Sequence, residues 1–125
     1  MIGFDRGDER ALAGAILDGA AKRPNQLFGA YFEGTAQSDA LGAAYEGVYR
    51  LPVDATGIRP KGIYKIFECL DDSVRRCPAE CPKRLLLDSL LIHLNDDHQW
   101  SRERIAVWLA GVAAPAGGRA GGVRS

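Results

Sequence analysis

Apolar residues recur at three- and four-residue steps in five stretches of this chain, separated by polar, glycine-rich or proline-rich segments, a pattern that predicts a mainly α fold. Leu12, Ile16 and Ala20, with Ala13 and Leu17 beside them, predict a first helix over about residues 8–23, ended by Pro24 and Asn25. Residues 26–35 read as an aromatic connection, extended around residues 30–33. Ser38 or Asp39 can cap a second helix reaching Tyr49, with Leu41, Ala44, Tyr45 and Val48 on one face and Gly42 and Gly47 weakening it. Residues 52–62 read as a loop. Ile63, Ile66, Phe67 and Leu70 then predict a short third helix, although a strand of this length has the same apolar content, and residues 71–82 read as irregular.

Leu87, Leu90, Leu91 and Leu94 form the stripe of a fourth helix over about residues 83–94, which Asn95, Asp96 and Asp97 interrupt. Ser101 can cap a last helix over about residues 102–110. Trp100 before that cap and Ile105 at the fourth helical position have the spacing of a hydrophobic staple, which fixes the angle of entry. Residues 111–125 are dominated by Ala, Gly and Arg, too little apolar surface to offset the entropy of ordering, and are expected to be a flexible tail. The expectation is a small single-domain helical fold over residues 1–110, with one short extended segment.

At 125 residues the chain suits one domain with its own core. Sixteen basic and sixteen acidic residues cancel, which argues against a global attraction to phosphate backbones. A local basic patch of Arg50, Arg59, Lys61 and Lys65 remains as a nucleic-acid candidate. The first residues lack an export signal, and residues 85–94 are interrupted by Asp88, Ser89 and His93 and cannot span a bilayer, so a cytoplasmic protein without membrane contact is expected. Three cysteines in that compartment are expected to be reduced.

Two of those thiols carry the most specific chemistry. Cys77, Cys81, His93 and His98 follow the order and spacing of a tetrahedral zinc site: Cys-x3-Cys, eleven residues, then His-x4-His. On a straight helix His93 and His98 would diverge by about 140°. They converge only if the helix ends between them, where Asn95-Asp96-Asp97 supplies an end. Four protein ligands would leave no open position, making the zinc structural and the centre zinc-knuckle-like. The same residues also read as reduced thiols beside turn prolines and as polar histidines near a helix C-terminus. Cys69 is a spare thiol, either a replacement ligand or a small core residue.

Other chemistry is weaker. Cys77 and His93 could form a thiolate and imidazole pair for a hydrolase, but the sequence identifies no orienting third residue and no oxyanion hole. The Asp71-Asp72 and Asp96-Asp97 pairs lack the alternating oxygen ligands of a calcium loop. No glycine-rich stretch has the lysine of a phosphate-binding loop. Phe28, Tyr31, Phe32, Tyr45 and Tyr49 fit core packing better than base stacking.

Residues 93–109, HLNDDHQWSRERIAVWL, resemble a recurrent ending, HLNDxHxWSRExIAxWL, of small uncharacterised proteins of tailed bacteriophages and prophages. LAGAILDGAAKRPNQLFGAYFEG and ALGAAYEG are similar to the glycine-rich amino half of such proteins, so the resemblance covers most of residues 11–110. It implies phage or prophage origin and a zinc-knuckle-like centre, and it implies no particular activity. Relatives often carry a cysteine where this chain has Asp39, and an acidic residue where it has Val107.

These readings converge on a noncatalytic accessory protein that binds a host or phage protein and modulates it, with Trp100, Trp108, Arg102 and Arg104 as contact residues. The alternatives are a zinc-stabilised nucleic-acid-binding protein, using Arg50, Arg59, Lys61, Lys65, Arg102 and Arg104 as one basic face, and a cysteine- or metal-dependent hydrolase.

Overall fold

Helix α1 (Arg6–Lys22) buries Leu12, Ala13, Ile16 and Ala20 and sets Asp8 and Glu9 in its first turn and Lys22 in its last, matching the helix dipole. Leu17, expected on the same face, is instead 44% exposed, because the buried stripe is rotated toward Glu9, Ala15 and Gly19. This computed structural model describes residues 6–113, with side chains described for residues 8–111.

Helix α2 (Ala40–Val48) starts at Asp39, whose carboxylate accepts the Gly42 N–H at 2.6 Å. Its glycines weaken the isolated helix but allow it to lie against α1. A methyl group built on Gly47 would fall 2.1 Å from the Ala15 carbonyl oxygen, and one on Gly19 would fall 1.8 Å from that of Ala43. The crossed pairing of these positions makes the two helices antiparallel, with backbones nearly in contact. Helix α6 (Arg102–Ala113) packs on the other side of α1. Trp100 and Ile105 are both buried beside its cap, and Ser101 Oγ accepts the Arg104 N–H at 3.0 Å.

The fold is about half helical and is not plainly all-α, because two small sheets accompany the helices. Strands β1 (Asn25–Gln26), β2 (Phe32–Glu33) and β3 (Gln37–Ser38) form a sheet in the order β1-β3-β2, parallel and then antiparallel. Only β2 falls within the expected extended segment. The third helix is divided: α3 (Ile63–Ile66) and α4 (Cys69–Asp72) are separate turns, broken at Phe67 with φ −123° and ψ 84°.

The next stretch departs furthest from expectation. Strand β4 (Val74–Arg76) pairs antiparallel with β5 (Arg84–Leu86), where an irregular segment and the first helical turn were predicted. Pairing with residues 74–76 holds residues 84–86 extended, and the Cys77 N–H to the Lys83 carbonyl at 2.8 Å closes the loop. Helix α5 (Leu87–Asp96) follows directly and buries Leu87, Leu90, Leu91 and Leu94 against α2, α4 and α6. Helix α6 continues past the expected end at residue 110, and residues 114–125 of the expected tail lie outside the described residues. Among the described residues, no helix is long and apolar enough to cross a membrane.

Candidate metal centre

The loop joining β4 to β5 presents two sulfur atoms, and the C-terminal end of α5 presents two imidazoles. Within the loop, the Ala79 amide lies beside the Cys77 sulfur and the Lys83 amide beside that of Cys81, where each favours a thiolate. In each case that amide is two residues on. Pro78 and Pro82 stand between, with φ fixed by their rings, and Glu80 adopts a left-handed φ of 56° that turns the chain.

At the end of α5 the Asp97 and His98 N–H groups both reach the His93 carbonyl, at 2.9 and 3.2 Å. Gln99 is left-handed at φ 55°, and the Trp100 N–H closes on the Leu94 carbonyl at 2.9 Å. This turn folds His98 back over His93, with ring centroids 4.6 Å apart and ring planes at 84°. It supplies the helix end that the convergence of the two histidines demanded.

One ligand atom from each of Cys77, Cys81, His93 and His98 lies within 4.8 Å of all the others. The two Nε2 atoms are 3.1 Å apart, and Cys81 Sγ is 3.6 Å from His93 Nε2. Tetrahedral coordination with bonds of about 2.3 Å to sulfur and 2.0–2.1 Å to nitrogen separates ligand atoms by roughly 3.3–3.8 Å. The cluster therefore matches the size of a single ion, and these residues can hold a metal. Asp97 Oδ2 lies 2.7 Å from His93 Nδ1, which directs the ring so that Nε2 faces the cluster.

The two thiols are shifted in opposite directions. Burial pushes the Cys77 thiol up. The Lys83 amide, and then His93 and His98, bring Cys81 down to about 6. Burial works against a charged His93, but hydrogen bonds with Cys81 and Asp97 outweigh it and the imidazole is raised. Cys69 lies outside the cluster: it is buried in the core, its N–H donates to Asp8 at 2.8 Å, and its thiol is pushed up by burial and then by Asp8.

Two of the four expected contact residues are not on the surface. Trp100 is buried, and Arg102, 2% exposed, donates to the Arg23, Pro24 and Ser38 carbonyls and to the Ser38 hydroxyl. Their assignment to a partner surface is corrected accordingly: they hold α6 to the turn after α1. Trp108 is half-buried and Arg104 is exposed, its guanidinium 3.9 Å above the Trp100 ring. Arg50, Arg59, Lys61 and Lys65 are all exposed. Arg59 lines a recess of about 510 Å³ with Tyr31 and Glu33, whereas Arg50 lines a different one of about 400 Å³ with Lys22 and Glu46. With Arg102 buried as well, the six residues do not make one basic face.

Several residues of the site escaped the sequence reading. Asp97 was legible in principle, since it stands four residues after His93 on one helix and so shares its face. The repeated Cys-Pro-x of Cys77-Pro78-Ala79 and Cys81-Pro82-Lys83 was a second signal. Arg23 gave none: its role appears only in the buried pair with Glu46 at 2.7 Å and its bonds to the Gly34, Pro52 and Val53 carbonyls. No protein-family model, curated protein or solved structure matches the chain.

Proposed function

We propose that this chain is a noncatalytic accessory protein of phage or prophage type, acting in the bacterial cytoplasm, whose carboxyl half is fastened by structural zinc and which works by binding another protein. The observation that carries the reading is the convergence of two sulfurs and two imidazole nitrogens from protein alone. Thiolate and imidazole donors suit zinc, and four of them leave no position for a catalytic water. Phage origin rests on the resemblance of residues 93–109. The candidate contact surface is the outer side of α6, where Val107 is 70% exposed beside half-buried Trp108 and exposed Arg104.

Native mass spectrometry of protein purified without chelator tests the metal: one zinc per chain is expected, lost in Cys81→Ser and His93→Ala. Asp97→Ala should keep the ion but bind it about 10–100-fold more weakly. A chain that carries no zinc after reconstitution under reducing conditions sinks this reading. Crosslinking from infected or lysogenic cells tests the partner: a product lost in Val107→Asp is expected, and the same products in both chains would count against α6.

One observation favours a second reading. Cys81, His93 and Asp97 stand in the order nucleophile, base and orienting carboxylate, at 3.6 and 2.7 Å, as a cysteine hydrolase requires. His98 at 3.1 Å and Cys77 crowd the same point, which suits coordination better than substrate access. Rapid alkylation of Cys81 in zinc-loaded protein would favour the hydrolase; protection by zinc would favour the staple.

A further inference from the structure

From the register of the metal-bearing ribbon we infer that its outer face is a contact surface for the phosphate backbone of duplex DNA. Cys77 with Lys83 and Leu87 with Ser73 are joined by ladder hydrogen bonds, so the alternate pairs between them, Val74 with Leu86 and Arg76 with Arg84, are non-hydrogen-bonded pairs. In such pairs the side chains approach closest, with Cβ atoms about 4.5–5.5 Å apart. Arg76 and Arg84 thus stand side by side on the solvent face, and both are exposed. Like charges placed directly opposite destabilise a two-stranded ribbon. Lys83 is also exposed, but it closes the loop opposite Cys77 and so belongs to the other face of the ribbon.

Among the described residues, none of Arg76, Lys83 and Arg84 forms an ion pair, whereas neighbouring Arg75 is bound to Glu9. The acidic groups nearby are Glu80 in the loop, Asp71 and Asp72 before the far end of β4, and Asp88 beyond β5, which accepts the Tyr64 hydroxyl at 2.9 Å. A zinc ion with two thiolates would add no net charge. Guanidinium forks bind phosphate oxygens in bidentate fashion, and the major groove of B-form DNA, about 12 Å wide, admits a two-stranded ribbon. The outward positions carry no aromatic ring to stack on the bases of a single strand, so a duplex backbone is the better match. This surface lies on the ribbon, so it stands or falls independently of the protein contact assigned to α6.

The test is fluorescence anisotropy of zinc-reconstituted protein with a short DNA duplex at salt concentrations from about 50 to 200 mM. Two phosphate contacts predict a log–log salt slope of about −1.8, a loss of roughly twelve-fold across that range. Arg76→Ala/Arg84→Ala should abolish binding, and Arg84→Ala alone should halve the slope to about −0.9. Both variants should retain one metal per chain by native mass spectrometry and melt no lower than the parent. Arg50→Ala/Arg59→Ala should leave the slope unchanged. Absence of binding at the lowest salt, a slope indifferent to the ribbon variants, a slope lost instead with Arg50 and Arg59, or tighter binding to phosphatidylserine vesicles or polyglutamate would each overturn the assignment.

Discussion

Asn95 has every hydrogen-bonding position of its amide engaged. Its oxygen accepts from Gln26 at 2.8 Å and from the Ala40 N–H at 3.1 Å, while its nitrogen donates to the Leu27 carbonyl at 2.9 Å and to Asp96 at 2.8 Å. Gln26 in turn donates to the Trp100 carbonyl and accepts the Arg102 N–H. Much of the HLNDDHQWSRE segment is therefore consumed in holding the turn after α1, the start of α2 and the α5–α6 junction together, because most polar atoms of a buried amide or guanidinium must find partners, here far along the chain. Asp39 beside this network is different. Burial raises its carboxyl to about 7 despite the Gly42 amide, with Asp96 adding to the rise and Arg102 opposing it. The folded chain therefore holds a proton there that the unfolded chain, with a carboxyl near 3.9, releases. Its contribution is fully present below about pH 4 and is lost as pH rises through about 7. Asp39→Asn keeps a capping acceptor without the charge, so denaturation of the two chains should show the variant gaining, relative to the parent, on the order of a few kcal/mol between about pH 4 and 8. A constant difference across that range would show that Asp39 is ionised throughout.

At the scale of elements, the pairing of α1 with α2 turns on two glycines, Gly19 and Gly47, that composition alone does not distinguish from the rest. Gly47→Ala should cost about 1–3 kcal/mol or more, since the added methyl meets the Ala15 carbonyl at 2.1 Å and backbone cannot give way as a side chain can. Gly14 lies in the same helix as Gly19 but faces open space, and Gly14→Ala should stabilise by up to about 1 kcal/mol. Urea denaturation of both variants checks the pair; equal effects would mean that the helices sit farther apart. Helices with a long periodic stripe were legible from the chain, α1 and α5 among them, because 3.6-residue spacing survives without any partner. The ribbon was not. Residues 84–86 are Arg-Leu-Leu, which extend an apolar helical pattern as readily as they form a three-residue strand, and the choice was made by pairing with residues 74–76.

For the molecule as a whole, the loop between β4 and β5 has few holds other than the proposed metal, whereas the end of α5 is also fixed by Asn95 and Gln26, and α1, α2, α5 and α6 share one buried core. Chelation should therefore loosen residues 77–83 and 97–99 without unfolding the chain. Hydrogen exchange should show protection lost there and kept at Leu12, Ile16 and Leu41. Global unfolding on chelation would show that the core cannot stand without the ion. The sequence by itself determined the ligand residues, the helical periodicities, the Trp100–Ile105 staple and the cap at Ser101, since each depends on residues close together in the chain. Tertiary structure alone decided that two imidazoles and two sulfurs meet, that Arg102 and Trp100 face inward, and that Arg76 stands beside Arg84. Those outcomes depend on strand register, helix ends and the satisfaction of buried polar groups by distant backbone, none of which local spacing encodes.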